Sequence, residues 1–143
     1  HIETVTKLVN SGIPVMGHLG LTPQSMHQLG GYKVQGRTDG DVILEAAKAL
    51  EKAGAFAIVL ELVPAALAAK ITAALKIPTI GIGAGVDCDA QVLVWTDLMG
   101  ITKKAPKLAK AYRNLRAEMV AAAAEFSEDV RKGHFPTELQ SFN

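Results

Sequence analysis

Four short apolar runs punctuate the chain, at 13–16, 56–62, 78–82 and 91–95. None alternates polar with apolar, so each predicts a strand of a parallel sheet covered by helices. Helical spacing fills the intervals. The chain opens on a helix over 2–9, with Val5, Leu8 and Val9 apolar and Gly12 as its stop. A second helix is predicted from about 41 to 53, where Ile43, Ala46, Ala47 and Leu50 share a face and Gly54 ends it. A third starts at Pro64, which the first turn of a helix tolerates, and Ile77-Pro78 forbids its continuation. A long helical region is predicted over 106–132, where Leu108, Tyr112, Leu115, Met119, Ala123, Phe126 and Val130 recur at helical steps and Asn114 could mark a break.

Strand and helix therefore alternate, which builds either an open doubly wound sheet or a (β/α)8 barrel. Four such units are half a barrel. Closure would require strands upstream of His1, since a half-barrel exposes its inner face and two edges. The chain begins on His1 rather than Met, already inside a helix, and reads as the later part of a longer one. Residues 1–143 are expected to form a single domain, with nothing resembling a linker or repeat.

Composition narrows the class of function. The chain has 143 residues, 49% of them hydrophobic and 20% charged, enough for a sizeable core. A net charge of +1 asks for neither nucleic acid nor an anionic membrane, so the expected ligand is small. Glu61 and Pro64 interrupt the longest apolar run, which excludes a membrane-spanning helix there. One cysteine, Cys88, allows no intrachain disulfide and reads as an ordinary reduced thiol, which predicts a cytoplasmic protein.

Glu61 is the lone charge within an otherwise apolar run, and a carboxylate placed there is neutralised, paired or working. Functional groups of parallel βα folds gather at the C-terminal ends of strands. Three polar residues are expected there: His18 just after the first strand, Glu61 at the end of the second, and Asp97 at the end of the fourth. His18 could equally bond a carbonyl, and Asp97 fits a helix-cap or turn role. The segment from Leu19 to Gly40, 22 residues, is a candidate lid or substrate loop whose turns look fixed. Glycines from Gly81 to Gly85 suggest a dinucleotide cradle, but Val86 stands where the third glycine belongs, so they read as points of close approach. Asp87 and Asp89 are too little for a metal site.

Five stretches together carry a resemblance: Gly17 to Gln24, Gly30 to Arg37, Leu60 to Pro64, Gly81 to Gly85 and Gln91 to Trp95. They closely resemble the ketopantoate hydroxymethyltransferases, and the match runs to Phe142. The resemblance implies a (β/α)8 TIM barrel, of which this chain supplies roughly the last four βα units and the C-terminal helices. It implies transfer of a hydroxymethyl group from 5,10-methylenetetrahydrofolate to 3-methyl-2-oxobutanoate, giving 2-dehydropantoate for pantothenate synthesis. It also implies Mg²⁺, which would stabilise the enolate as a Lewis acid. Glu61 matches the base that takes the C3 proton, and His18 matches a site histidine that contacts substrate or orients polar groups. Lys33 and Arg37 lie in a matching loop, where a solvated face is equally expected. The metal ligands of the family would precede His1, so none is expected in this chain, and the folate-binding residues stay unknown. The family further implies a homo-oligomer, commonly a decamer. Gln140 stands where many relatives carry His, and Ala90 replaces a common Gly. The competing readings are a related metal-dependent carbon–carbon lyase or mutase, and a non-catalytic half-barrel.

Overall fold

The computed structural model describes residues 1–25, 27, 31 and 33–142. It divides into two compact units, His1–Val92 and Leu93–Asn143.

The first unit is built on a parallel sheet of four strands in chain order: β1 (Met16–Gly20), β2 (Ala57–Glu61), β3 (Thr79–Ile82) and β4 (Ala90–Gln91). Helices α1 (Ile2–Asn10), α2 (Gly40–Lys52) and α3 (Ala65–Ala74) lie between or before the strands, as the helical spacing predicts. Because side chains alternate across a strand, Ile58, Leu60 and Thr79 face one way and Val59, Glu61, Ile80 and Ile82 the other. The first face carries the core. Ala47 and Leu50 of α2 and Leu67, Ala68 and Ile71 of α3 pack with Ile58 and Leu60 there. Each fully buried Leu or Ile contributes about 1.5–3 kcal/mol, so this face holds the unit together. On the opposite face Val59, Ile80 and Ile82 are only partly buried.

Two carboxylates latch the βα connections. Glu51 Oε1 accepts from the amides of Lys76 at 2.6 Å and Ile77 at 3.1 Å, holding the turn that Pro78 forces after α3. Asp89 Oδ2 accepts from the Thr79 amide at 2.8 Å and its hydroxyl at 2.9 Å, tying the approach to β4 onto the start of β3. The Thr79 amide, then the Thr79 hydroxyl, hold the Asp89 carboxyl below its ordinary range. A depressed carboxyl stabilises the fold above its unfolded pKa, and that contribution fades as pH falls through the folded value. Asp89→Asn should therefore lower the urea midpoint at pH 7, and the gap from wild type should close as the pH drops below about 4. Equal midpoints at pH 7 would remove Asp89 as a latch.

Several boundaries differ from the sequence expectation. The first strand is not 13–16 but Met16–Gly20, because Pro14 has no N–H for a ladder and pairing starts where Val15 O accepts from Phe56 N. His18 consequently lies within β1 rather than after it. The fourth strand is not 91–95: it ends at Gln91, since an edge strand bonds on one side only and β3 turns away at Gly83. Trp95 opens a short helix, α4 (Trp95–Leu98), and Asp97 lies buried within it instead of at a strand end.

In the second unit the helix expected over 106–132 is α5 (Leu115–Lys132) alone. Asn114 does mark the break: its side chain caps α5 by accepting from Ala117 N at 3.4 Å. Residues 106–113 run through turns, with Tyr112 N bonded to Leu98 O. Gln140 closes a capping box with Thr137, whose amide it accepts at 3.1 Å. No helix among the described residues is long and apolar enough to cross a membrane.

Candidate active site

Parallel register sets His18 beside Val59 and Gly20 beside Glu61, so His18 and Glu61 share the partly open face one diagonal step apart. Their side chains meet. His18 Nε2 stands 3.1 Å from Glu61 Oε2, with the side chains 30% and 15% exposed. A hydrogen on Nε2 donates to the carboxylate, leaving the other carboxylate oxygen for a ligand's proton. No Lys or Arg pairs with Glu61 among the described residues; its partner is the His18 imidazole.

The backbone around Glu61 is clamped. Glu61 O accepts from Leu21 N at 2.9 Å, Leu62 N donates to Ile82 O at 3.0 Å, and Leu62 O accepts from Gln35 N at 2.8 Å. Leu21 and Gln35 of the 19–40 segment are thus bonded to the tip of β2. Within it Lys33 and Arg37 are exposed, whereas Gly30 and Tyr32 of the motif lie outside the described residues. Leu62 has φ 49°, the left-handed region that costs a non-glycine about 1–2 kcal/mol. Gly20 has φ 89° and lies so close to the strand that a Cβ there would collide with Glu61 O.

Asp97 belongs to the second unit and does not cap α4, whose N-cap is Val94. Gly85 lets the turn after β3 pass the start of α3, since a Cβ would meet Ala65 at 2.5 Å, and no helix follows to receive a pyrophosphate. Cys88 is a free thiol packed at the edge of the core. The described residues do not fit Mg²⁺. That ion demands several oxygen ligands, and the site offers one carboxylate already engaged by an imidazole, with no group of three acidic, His or Cys side chains placed to hold a metal.

Sequence reasoning missed the Leu62 conformation and the Gly20 contact. Neither carried a signal in the sequence, since residues 55–63 are apolar throughout except Glu61.

Comparison with known proteins decides the family. The ketopantoate hydroxymethyltransferase profile matches residues 1–138. The chain belongs to the ketopantoate hydroxymethyltransferase family. It is 59% identical to a 3-methyl-2-oxobutanoate hydroxymethyltransferase of Acidothermus cellulolyticus, over 99% of this chain and 52% of that protein. The enzyme of the same name from Moorella thermoacetica is 57% identical over 99% of this chain and 54% of its own length. That of Thermotoga maritima is 55% identical over 98% and 53%. The chain spans about half the length of these curated ketopantoate hydroxymethyltransferase relatives.

Proposed function

We propose that this chain is the C-terminal half of a (β/α)8 barrel enzyme that transfers a hydroxymethyl group from 5,10-methylenetetrahydrofolate to 3-methyl-2-oxobutanoate, giving 2-dehydropantoate in pantothenate synthesis. The observation that carries it is the His18–Glu61 pair, 3.1 Å apart on the partly open sheet face at the C-terminal end of β2. The relatives' names supply the substrate, and the four parallel strands fit half of such a barrel.

In this reading the free carboxylate oxygen of Glu61 removes the C3 proton of the keto acid. The C–H electrons move into a C2–C3 double bond, placing the charge on the C2 oxygen. His18 holds the other carboxylate oxygen, which aims Glu61 and keeps its second lone-pair face toward the substrate. C3 then bonds the methylene carbon of the folate; overall, water supplies the hydroxyl oxygen and tetrahydrofolate leaves. Magnesium enters no step at this chain's residues, and we assign its ligands to the stretch of the relatives that the chain does not span. A cytoplasmic homo-oligomer, as the family resemblance implies, belongs to the same proposal.

The test is product formation by the full-length protein carrying this chain. With the keto acid and 5,10-methylenetetrahydrofolate, 2-dehydropantoate should accumulate, and omitting the folate should stop it. Carbon–carbon cleavage or rearrangement of the keto acid without folate would instead favour a lyase or mutase.

A further inference from the structure

Leu62 is the one non-glycine with a left-handed φ among the described residues, and it directly follows the proposed base. Its side chain is not what the position needs: it is only partly buried, whereas Leu60 and Val63 on either side of the Glu61–Leu62 pair are buried. Extended backbone through 62 would send Leu62 to the core and Val63 outward. The left-handed turn reverses that, seating Val63 in the core and ending β2 at Glu61. Two hydrogen bonds hold the turned residue, Leu62 N to Ile82 O and Gln35 N to Leu62 O, so β3 and the 33–38 segment both grip it.

We propose that Leu62 is a positioning residue whose left-handed backbone, rather than its side chain, fixes the Glu61 carboxylate against His18. The proposal rests on Glu61 acting as the base, and its test separates the two. Residues that adopt the left-handed region readily should keep the site, whatever their size. Leu62→Gly and Leu62→Asn in the full-length protein should retain kcat within about threefold. Leu62→Val, closest in shape but β-branched and averse to that region, should lower kcat by roughly 10- to 100-fold with KM little changed, as a displaced catalytic group does. A side-chain packing role predicts the reverse order, with Val mildest and Gly worst, and that order would overturn the proposal.

A second readout does not depend on turnover. In the ¹⁵N spectrum of the histidine rings, Glu61→Gln should move the His18 Nε2 signal, and Leu62→Val should move it in the same direction while Leu62→Gly leaves it at the wild-type position. If the protein proves inactive but this pattern holds, the positioning role stands and the catalytic reading falls. If Leu62→Val leaves the His18 signal unmoved, the positioning role is wrong whatever the activity.

Discussion

Gly20→Ala is expected to destabilise the chain by on the order of 3 kcal/mol, because two independent costs fall on one methyl group. The first is conformational. Gly20 sits at φ 89°, where a Cβ clashes with its own backbone and costs about 1–2 kcal/mol. The second is contact with neighbours that cannot move freely. A Cβ there would collide with Glu61 O and stand 2.8 Å from Val63 Cγ1, and Glu61 O is already bonded to Leu21 N. Gly12→Ala is the control that separates them. Its φ is 79°, yet nothing lies within 4 Å of a Cβ there, so only the conformational cost applies. Urea unfolding of the three proteins should give the order wild type, Gly12→Ala, Gly20→Ala. If the two variants match, the close approach at the tip of β2 contributes nothing.

Glu61→Gln should lower turnover of the full-length protein by at least about 10²-fold with little change in KM, since a positioned general base contributes roughly 10²–10⁴. The substitution keeps the shape and the ability to accept a hydrogen from His18 Nε2, which stands 3.1 Å away, but removes the charge that accepts a proton. Folding should survive, because Glu61 is partly exposed and the core packs on the opposite face. A variant with normal turnover would place the base elsewhere.

Glu61 was legible as a candidate because a single charge interrupted a continuous apolar run, and burial of a carboxylate demands an explanation. The helices were legible from their spacing and their Gly and Pro punctuation, since α1, α2 and α3 follow the apolar periodicity. Strand ends were less so. The run at 13–16 has the composition of a strand, but a ladder needs a partner and an N–H, and Pro14 and the late start of β2 deny both. Val92 to Trp95 fails for a similar reason: apolar composition cannot extend a strand beyond what its only neighbour offers. The 3.1 Å approach of His18 to Glu61 depends on the β1–β2 register, which no residue spacing reveals across a separation of 43 positions. Leu62 was hidden because leucine carries no left-handed preference; the clamp from Gln35 and Ile82 imposes it.

Asp89, Glu51 and Gly20 do structural work at fixed places. Asp89 and Glu51 fasten the N-terminal ends of strands, away from Glu61, whereas Gly20 sits beside it. Variants at the first two should alter stability and leave proton abstraction intact, in keeping with the division of parallel βα folds into a stabilising and a functional end.

The most direct measurement is exchange of the C3 proton of 3-methyl-2-oxobutanoate with deuterated water, followed by proton NMR in the full-length protein without folate. It isolates proton removal from one-carbon transfer. Wild type should exchange the C3 proton and Glu61→Gln should not, with the keto acid still bound by both. Exchange by Glu61→Gln at the wild-type rate would contradict the assignment of Glu61 as the base.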